Sequence, residues 1–161
     1  MDKGVVQIYY GDGHGKSTAA MGNAIHAASA GKSVIVIEFL KGKREEEFAF
    51  LNRLEPEIKF FRFARSDASF EELSGEQKRE EMMNLRNGFN YGKKVITTGA
   101  CDMVVLDEIL GAVDEQVISA GELEELLAAR PEDMTVICTG RVLHRDIRRF
   151  ADEIYNIAPE K

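Results

Sequence analysis

The most informative segment of the chain reads Ile8-Tyr9-Tyr10-Gly11-Asp12-Gly13-His14-Gly15-Lys16-Ser17-Thr18. A short, mostly apolar run at residues 5–8 leads into it, and residues 19–25 continue it as a helix-like pattern. Alternate glycines let backbone N–H groups converge into a nest that binds anions, and the start of the following helix adds the positive end of its dipole. Because the Gly-Lys-Ser ending lies between a strand pattern and a helix pattern, it indicates phosphate binding.

Lys16 and Ser17 are the candidate phosphate and metal residues of this segment. The lysine can supply a point charge to the outer phosphates, and the serine hydroxyl can serve as a ligand for Mg²⁺. The segment is a variant of the general pattern, because Tyr10 stands where that pattern has a glycine and Gly11 follows one place later. A plain glycine-rich turn is the alternative, but such a turn would not require Lys-Ser at the mouth of a helix. We therefore expect nucleotide binding.

Composition excludes several classes of protein. The chain has 161 residues, with 21 basic and 28 acidic side chains and a net charge of −7, which argues against non-specific binding to nucleic acid. This length is typical of one domain with a substantial core. We expect no membrane span and no signal peptide, and hence a cytoplasmic protein. Cys101 and Cys138 lack metal-site spacing and are expected to be buried free thiols.

Strand patterns alternate with helix patterns along the chain. Residues 33–39 form a continuous apolar run, which is typical of a strand covered on both faces. Capping boxes that begin at Ser74 and Ser119 mark the starts of two helices. The alternation predicts a single three-layer α/β domain with a mainly parallel central sheet. Together with the glycine-rich segment, it makes the expected domain P-loop NTPase-like. The other predicted strands lie at 58–63, 103–108, 135–138 and 153–157, and the predicted helices at 16–30, 45–54, 74–98, 119–130 and 144–150.

Polar residues follow several of the predicted strands, at the edge where such sheets bind ligands. Asp107 and Glu108 come after four apolar residues, as in a Walker B strand, where an acid holds Mg²⁺ directly or through water. The alternative is two solvated acids that cap the next helix. Arg141 either pairs with phosphate or is an ordinary surface arginine, and the residues alone leave both open. Glu38 with Lys41 marks a further strand end.

Taken together, these segments resemble one family, the P-loop corrinoid adenosyltransferases, or ATP:cob(I)alamin enzymes. The resemblance covers residues 6–157 in the same order and spacing, and its most specific part is Thr139-Gly140-Arg141. The family's own loop has the form Gly-x-Gly-x-Gly-Lys, which accounts for the position of Tyr10. The segments that carry the resemblance are 11–20, 38–42, 102–108, 139–141 and 144–146.

The resemblance implies transfer of the 5′-deoxyadenosyl group from ATP to the Co(I) of a corrinoid, with release of triphosphate. Lys16 would stabilise the leaving group, Ser17 and Glu108 would hold Mg²⁺ with Asp107 in support, and the catalytic pair would be Lys16 and Glu108. ATP would bind in reverse relative to ordinary P-loop enzymes, and the protein would be a homodimer. The residues assigned to ATP are Gly11, Asp12, Gly13, His14, Gly15, Lys16, Ser17, Thr18 and Arg141.

The sequence departs from the family pattern at several positions. His14 stands where the family usually has lysine, and Glu38 where it usually has glutamine. The family also uses aromatic residues, often tryptophan, to displace the lower axial ligand of cobalt, and this chain has no tryptophan. Phe70 is the positional candidate for that role, although an ordinary core phenylalanine is an equal interpretation.

Two other functions stay open at this point. An ordinary P-loop ATPase or small-molecule kinase would break a phosphorus–oxygen bond of ATP. A non-catalytic ATP-binding relative would perform neither reaction. Formation of a cobalt–carbon bond distinguishes the adenosyltransferase from both.

Overall fold

The structure is a computed structural model that describes residues 3–40 and 49–161. Within these residues, six strands form one sheet in the order β3-β2-β4-β5-β1-β6. Every neighbouring pair is parallel, so the predicted parallel α/β architecture is confirmed. The strands are β1 (Val6–Tyr10), β2 (Val34–Glu38), β3 (Ile58–Arg62), β4 (Met103–Asp107), β5 (Thr135–Gly140) and β6 (Glu153–Asn156).

In residues 3–40 and 49–161, the connections between the strands include three 3₁₀ turns and four α-helices whose bounds lie wholly within the described residues. The α-helices are α1 (Lys16–Ser29), α2 (Gly75–Thr97), α3 (Ile109–Asp114) and α4 (Ala120–Ala128). The 3₁₀ turns are Asn52–Leu54, Phe70–Glu72 and Arg145–Phe150.

Most predicted elements are present, with three differences. The helix predicted at 144–150 is a 3₁₀ turn that starts one residue later, and the short helix α3 had no counterpart in the sequence analysis. Of the helix predicted at 45–54, residues 49–51 are helical and Asn52–Leu54 is a 3₁₀ turn, while its first residues lie outside the described part of the chain, as does Lys41.

The central strands are buried because helices cover both faces of the sheet. All five residues of β4 are buried, and so are the first four of β2. Small side chains let α1 approach one face closely, where Ala20 and Ala24 join Val36, Val105 and Ile137 in one hydrophobic cluster. The other face is covered by a second cluster that includes residues of the remaining helices. Cys101 and Cys138 are buried free thiols, as predicted.

Helix α2 begins and runs as its sequence suggests, despite two glycines in its middle. Ser74 and Gln77 form the predicted capping box, in which each side chain accepts a hydrogen bond from the other residue's backbone N–H. A Cβ atom at Gly88 would lie 3.0 Å from the ring of Phe63, so the glycine lets the helix pack closely on the segment after β3. The second capping box, Ser119 with Glu122, is confirmed at the start of α4.

The register of the sheet aligns the strand ends that carry polar residues. Glu38 pairs with Arg62 on one side and with Asp107 on the other, and Tyr10 pairs with Gly140. Since all six strands are parallel, their carboxyl ends meet at one edge of the sheet, which positions the site. In the described part of the chain, no helix is long and apolar enough to cross a membrane.

Candidate active site

The glycine-rich loop between β1 and α1 is anchored to the ends of two other strands. The backbone N–H of Gly11 donates to the carbonyl of Arg141 at 3.0 Å, and that of Gly13 donates to the carbonyl of Ile157 at 2.8 Å. A Cβ atom at Gly11 would collide with Asn156 and Ile157, and its φ of 121° also favours glycine. These two glycines thus fix the position of the loop through their own amides.

The last glycine of the loop turns the chain into the helix. Gly15 is the N-cap residue of α1 and has a φ of 105°, in the left-handed region. No side chain caps this helix, and its first turn contains no acidic residue. Because the first N–H groups of a helix have no partner within the helix, this end remains an anion-binding position.

Lys16 lies over the loop that precedes it. Its Nζ atom donates to the carbonyl of Gly13 at 2.7 Å. The ammonium group is therefore held next to the N-terminus of α1, where two sources of positive potential add.

A buried carboxylate ties three elements together behind the loop. Asp107, which is 4% exposed, accepts through Oδ1 from the hydroxyl of Ser17 at 2.8 Å and from that of Thr139 at 2.7 Å. The Thr139 hydroxyl also accepts from the backbone N–H of Glu108 at 2.8 Å. Helix α1 and strands β4 and β5 are thus joined by one continuous hydrogen-bond network, which fixes the Ser17 hydroxyl relative to both acids.

Glu108 has an unusual backbone conformation for its residue type. Its φ and ψ are 65° and 20°, in the left-handed region, and it is the N-cap residue of α3. Non-glycine residues in this region cluster at functional sites, where the surrounding structure holds them. Here the hydrogen bond from its N–H to Thr139 supplies part of that support.

A cavity of about 510 Å³ opens between the loop and the ends of β2 and β4. Its lining includes the polar side chains of Lys16, Ser17, Glu38, Asp107 and Glu108. The remaining lining residues are Gly13, His14, Gly15, Thr18, Met21, Ile25, Val36, Leu51 and Val105.

Three of the predicted ATP residues, namely Gly11, Asp12 and Arg141, lie beside this cavity and are not part of its lining. Arg141, 74% exposed, has its Nε atom 3.5 Å from an Asp12 carboxylate oxygen, and its carbonyl accepts from Gly11. The other predicted ATP and metal residues line the cavity itself. The structure thus brings the loop, Asp107 and Glu108 together, and it pairs Arg141 with the loop.

Oxygen atoms dominate the donors available to a cation. Among the described residues, no group of three or more His, Cys, Asp or Glu side chains converges on one point. The hydroxyl of Ser17 and the carboxylates of Asp107 and Glu108 are hard donors, which suit Mg²⁺ better than zinc. Such a set is incomplete alone, and Mg²⁺ sites in phosphate-binding proteins usually include water and substrate oxygens as well.

Comparison with known proteins identifies the family of this chain. The family model described as ATP:corrinoid adenosyltransferase BtuR/CobO/CobP matches residues 2–161. The chain belongs to this family. It is 34% identical over 160 residues to Corrinoid adenosyltransferase CobA of Salmonella typhimurium strain LT2, covering 99% of this chain and 79% of the relative. The corresponding Escherichia coli K12 protein is 32% identical with the same coverage, and that of Pseudomonas aeruginosa is 26% identical over 95% and 74%.

Two features of this corrinoid adenosyltransferase family member escaped the sequence analysis. Thr139 was part of the quoted family segment, but its role as the link between Asp107 and Glu108 depends on β5 lying beside β4. The second is Glu81, a buried acid on α2 that belongs to no motif. A charged residue in the middle of a helix normally indicates a solvated face, so the sequence contained no signal for it.

Proposed function

We propose that this chain transfers the 5′-deoxyadenosyl group of ATP to the Co(I) of a reduced corrinoid. The cobalt–C5′ bond forms with the electron pair of Co(I), the C5′–oxygen bond breaks, and its electron pair leaves with triphosphate. The observation that carries the proposal is the single cavity in which Lys16, Ser17, Asp107 and Glu108 meet, in a chain of this family.

In this reaction the substrate brings its own nucleophile. The two thiols of the protein are poorly suited to act as nucleophiles, because burial raises the pKa of Cys101 to about 11 and that of Cys138 to about 12. The work left to the protein is to position C5′ and to stabilise the charge of the leaving triphosphate. Both tasks need a rigid, positively polarised loop rather than a catalytic base.

We assign the charge stabilisation to the loop and the acids beside it. Lys16 and the N-terminus of α1 would face the phosphates, while Gly11, Asp12 and Gly13 would shape the loop. The amides and side chains of residues 14–18 would contact the triphosphate, and Arg141 would lie beside the nucleotide. Ser17 and Glu108 would hold Mg²⁺ with Asp107 in support, and the metal would neutralise phosphate charge. Their oxygen donors are of the type that Mg²⁺ prefers.

The products of the reaction test the proposal directly. Protein, ATP, Mg²⁺ and chemically reduced hydroxocobalamin are combined in the dark, and the visible spectrum is followed while the phosphate products are separated. We expect light-sensitive adenosylated cobalamin and triphosphate in equal amounts, with little ADP. Steady release of ADP that does not depend on reduced hydroxocobalamin would contradict the proposal and favour an ATPase or kinase.

Two finer features rest on the family resemblance. We infer a homodimer, which sedimentation equilibrium would test, and a requirement for Mg²⁺, which omission of the metal and its titration back would test. A monomer at micromolar concentration, or full activity with a chelator present, would refute the respective inference.

A further inference from the structure

One buried charged group takes no part in the proposed nucleotide site. Among the described residues, the buried polar or charged side chains are Glu81, Asp107 and Thr139. The last two form the network behind the loop. Glu81 is 6% exposed and lies on α2, outside the residues that line the cavity beside the glycine-rich loop. A buried carboxylate is costly unless hydrogen bonds compensate it, so its partners indicate its role.

The partners of Glu81 are backbone amides of a loop. Its Oε1 atom accepts from the N–H of Arg65 at 2.9 Å, and its Oε2 atom accepts from the N–H of Ser66 at 2.7 Å. Asn84, one turn further along α2, donates its side-chain Nδ2 to Oε1 at 3.0 Å. The carboxylate therefore holds two consecutive peptide groups at once.

Helix α2 holds the same loop at further points. The loop, residues 65–73, leads into the capping box at Ser74, and Lys78 Nζ lies 5.6 Å from the ring centroid of Phe70. Just before the loop, the Phe63 ring lies 5.9 Å from that of Tyr91. Apart from the 3₁₀ turn Phe70–Glu72 the loop has no regular structure, so side-chain contacts with α2 determine its path.

The loop starts at the edge of the proposed active site. Arg62, the last residue of β3, is in register with Glu38, which lines the cavity and is itself in register with Asp107. Adjacent strands are about 4.8 Å apart, which places Arg62 about 10 Å from Asp107. Further along, burial and then the nearby carboxyl group of Glu71 raise the pKa of Glu115, which directly follows α3. The loop thus spans from β3 to the far end of the helix that follows Glu108.

We propose that Glu81 is a positioning residue for the corrinoid, because its carboxylate holds residues 65–73 as the wall on which that substrate rests. The inference depends on the proposed adenosyl transfer. Attack on C5′ needs cobalt and carbon about 3–3.5 Å apart and in line, and an error of about 1 Å costs roughly a hundredfold in rate. A loop without regular structure reaches that accuracy only when its backbone is held.

The test replaces Glu81 by glutamine. Glu81→Gln keeps the size of the side chain but turns one acceptor oxygen into an NH₂ group, so one loop amide loses its partner. We expect the KM for chemically reduced hydroxocobalamin to rise about tenfold or more, while the dissociation constant of ATP changes less than about twofold. Glu80→Gln is the matched control, since it removes the same charge from an exposed neighbour and should leave both constants unchanged.

A second variant and a local measurement cover the case in which Glu81→Gln does not fold. Asn84→Ala removes only one of the three hydrogen bonds to Glu81, and we expect a rise of about threefold in the same KM. Hydrogen exchange at the amides of Arg65 and Ser66 should accelerate in either variant. Equal losses for ATP and cobalamin, or no change in either, would overturn the inference. If the unaltered chain makes no adenosylated cobalamin, the proposed function fails and the inference fails with it.

Discussion

At the edge of the sheet where the carboxyl ends of the strands meet, two regions are held in place in different ways. On the nucleotide side, comprising residues 11–18 with Asp107, Glu108 and Thr139, the Ser17–Asp107 hydrogen bond joins residues 90 positions apart. On the loop side, comprising residues 65–73 and α2, Glu81 holds amides only 15 and 16 positions away. Yet the nucleotide side was predicted from sequence and the loop side was not. Proximity along the chain therefore does not make a site easier to predict.

The reason lies in which atoms form each site. Phosphate binding restricts the residue types themselves, because only glycines, a lysine and a hydroxyl suit the loop. Backbone amides, in contrast, are present in every residue, so the partner of Glu81 has no signature. A site made of side chains can be recognised as a sequence motif. A carboxylate that binds backbone amides cannot, because in the sequence it looks like any other acidic residue.

The strongest test of the nucleotide side is Lys16→Ala. Lys16 has a hydrogen bond to Gly13 on the surface loop and lies outside the core, so the free energy of unfolding should stay within about 0.5 kcal/mol. The value of kcat/KM for ATP should fall about a hundredfold or more, because the leaving triphosphate loses its nearest fixed charge. Steady-state kinetics and urea unfolding measure the two effects. Retention of more than about a tenth of the activity, a loss under roughly 1.4 kcal/mol, would refute the role given to Lys16.

Asp107→Asn should give the next largest effect. The substitution preserves shape but weakens an oxygen that accepts from two hydroxyls. We expect kcat to fall about tenfold and the free energy of unfolding to fall by about 1–3 kcal/mol, since the group is buried. Asp133→Asn, in an exposed turn, is the matched control for loss of one acid. Unchanged stability together with full activity would show that the network behind the loop is dispensable.

Particular residues show how far the sequence alone could lead. The parallel strands followed from apolar runs such as 33–39, and the capping boxes at Ser74 and Ser119 followed from side-chain chemistry that acts within four residues. Helix α3 was missed because its six residues are too few to display a period. Thr139 was quoted as part of a segment, but its link to Asp107 needs the neighbour relation of β4 and β5, which no local pattern contains.

The third prediction depends on pH and concerns the ion pair that joins α2, on the loop side, to α4. Glu122 at the start of α4 accepts from Arg86 of α2 at 2.6 Å and 3.2 Å. The hydrogen bond from Arg86, with that from the Ser119 backbone, lowers the pKa of Glu122 to about 2. Because this pKa is lower in the folded state than in the unfolded state, the pair stabilises the fold above pH 4.5 and loses its effect as the pH falls towards 2.

Glu122→Gln should therefore lower the free energy of unfolding by about 1 kcal/mol at pH 7, a figure reduced by the partial exposure of both side chains. The difference between variant and unaltered chain should shrink at pH 3, while ATP affinity at pH 7 stays the same. Urea unfolding at the two pH values and a nucleotide titration provide the measurements. An equal difference at both pH values would contradict the attribution to the carboxylate charge.

The smallest expected effect is at His14, on the nucleotide side. A lysine carries a full positive charge at pH 8. His14→Lys should therefore tighten ATP binding about two- to fivefold at pH 8, because it places this charge in the cavity lining beside the loop. His26→Lys, on the same helix-loop unit but outside the cavity lining, is the control. Equal affinities for His14→Lys and the unaltered chain would mean that His14 points away from the phosphates.

The hydrogen bond from Gly13 to the carbonyl of Ile157 has a consequence for the order of assembly. Strand β1 lies between β5 and β6, so its two neighbours in the sheet are the last two of the described strands along the chain. Such non-local pairing slows folding. The glycine-rich loop therefore gets its final shape only after residue 157 has been synthesised, because the Gly13 N–H needs the carbonyl of Ile157. Bound ATP would then stabilise only those chains whose sheet is complete, because a ligand that binds the folded state alone shifts the equilibrium towards that state.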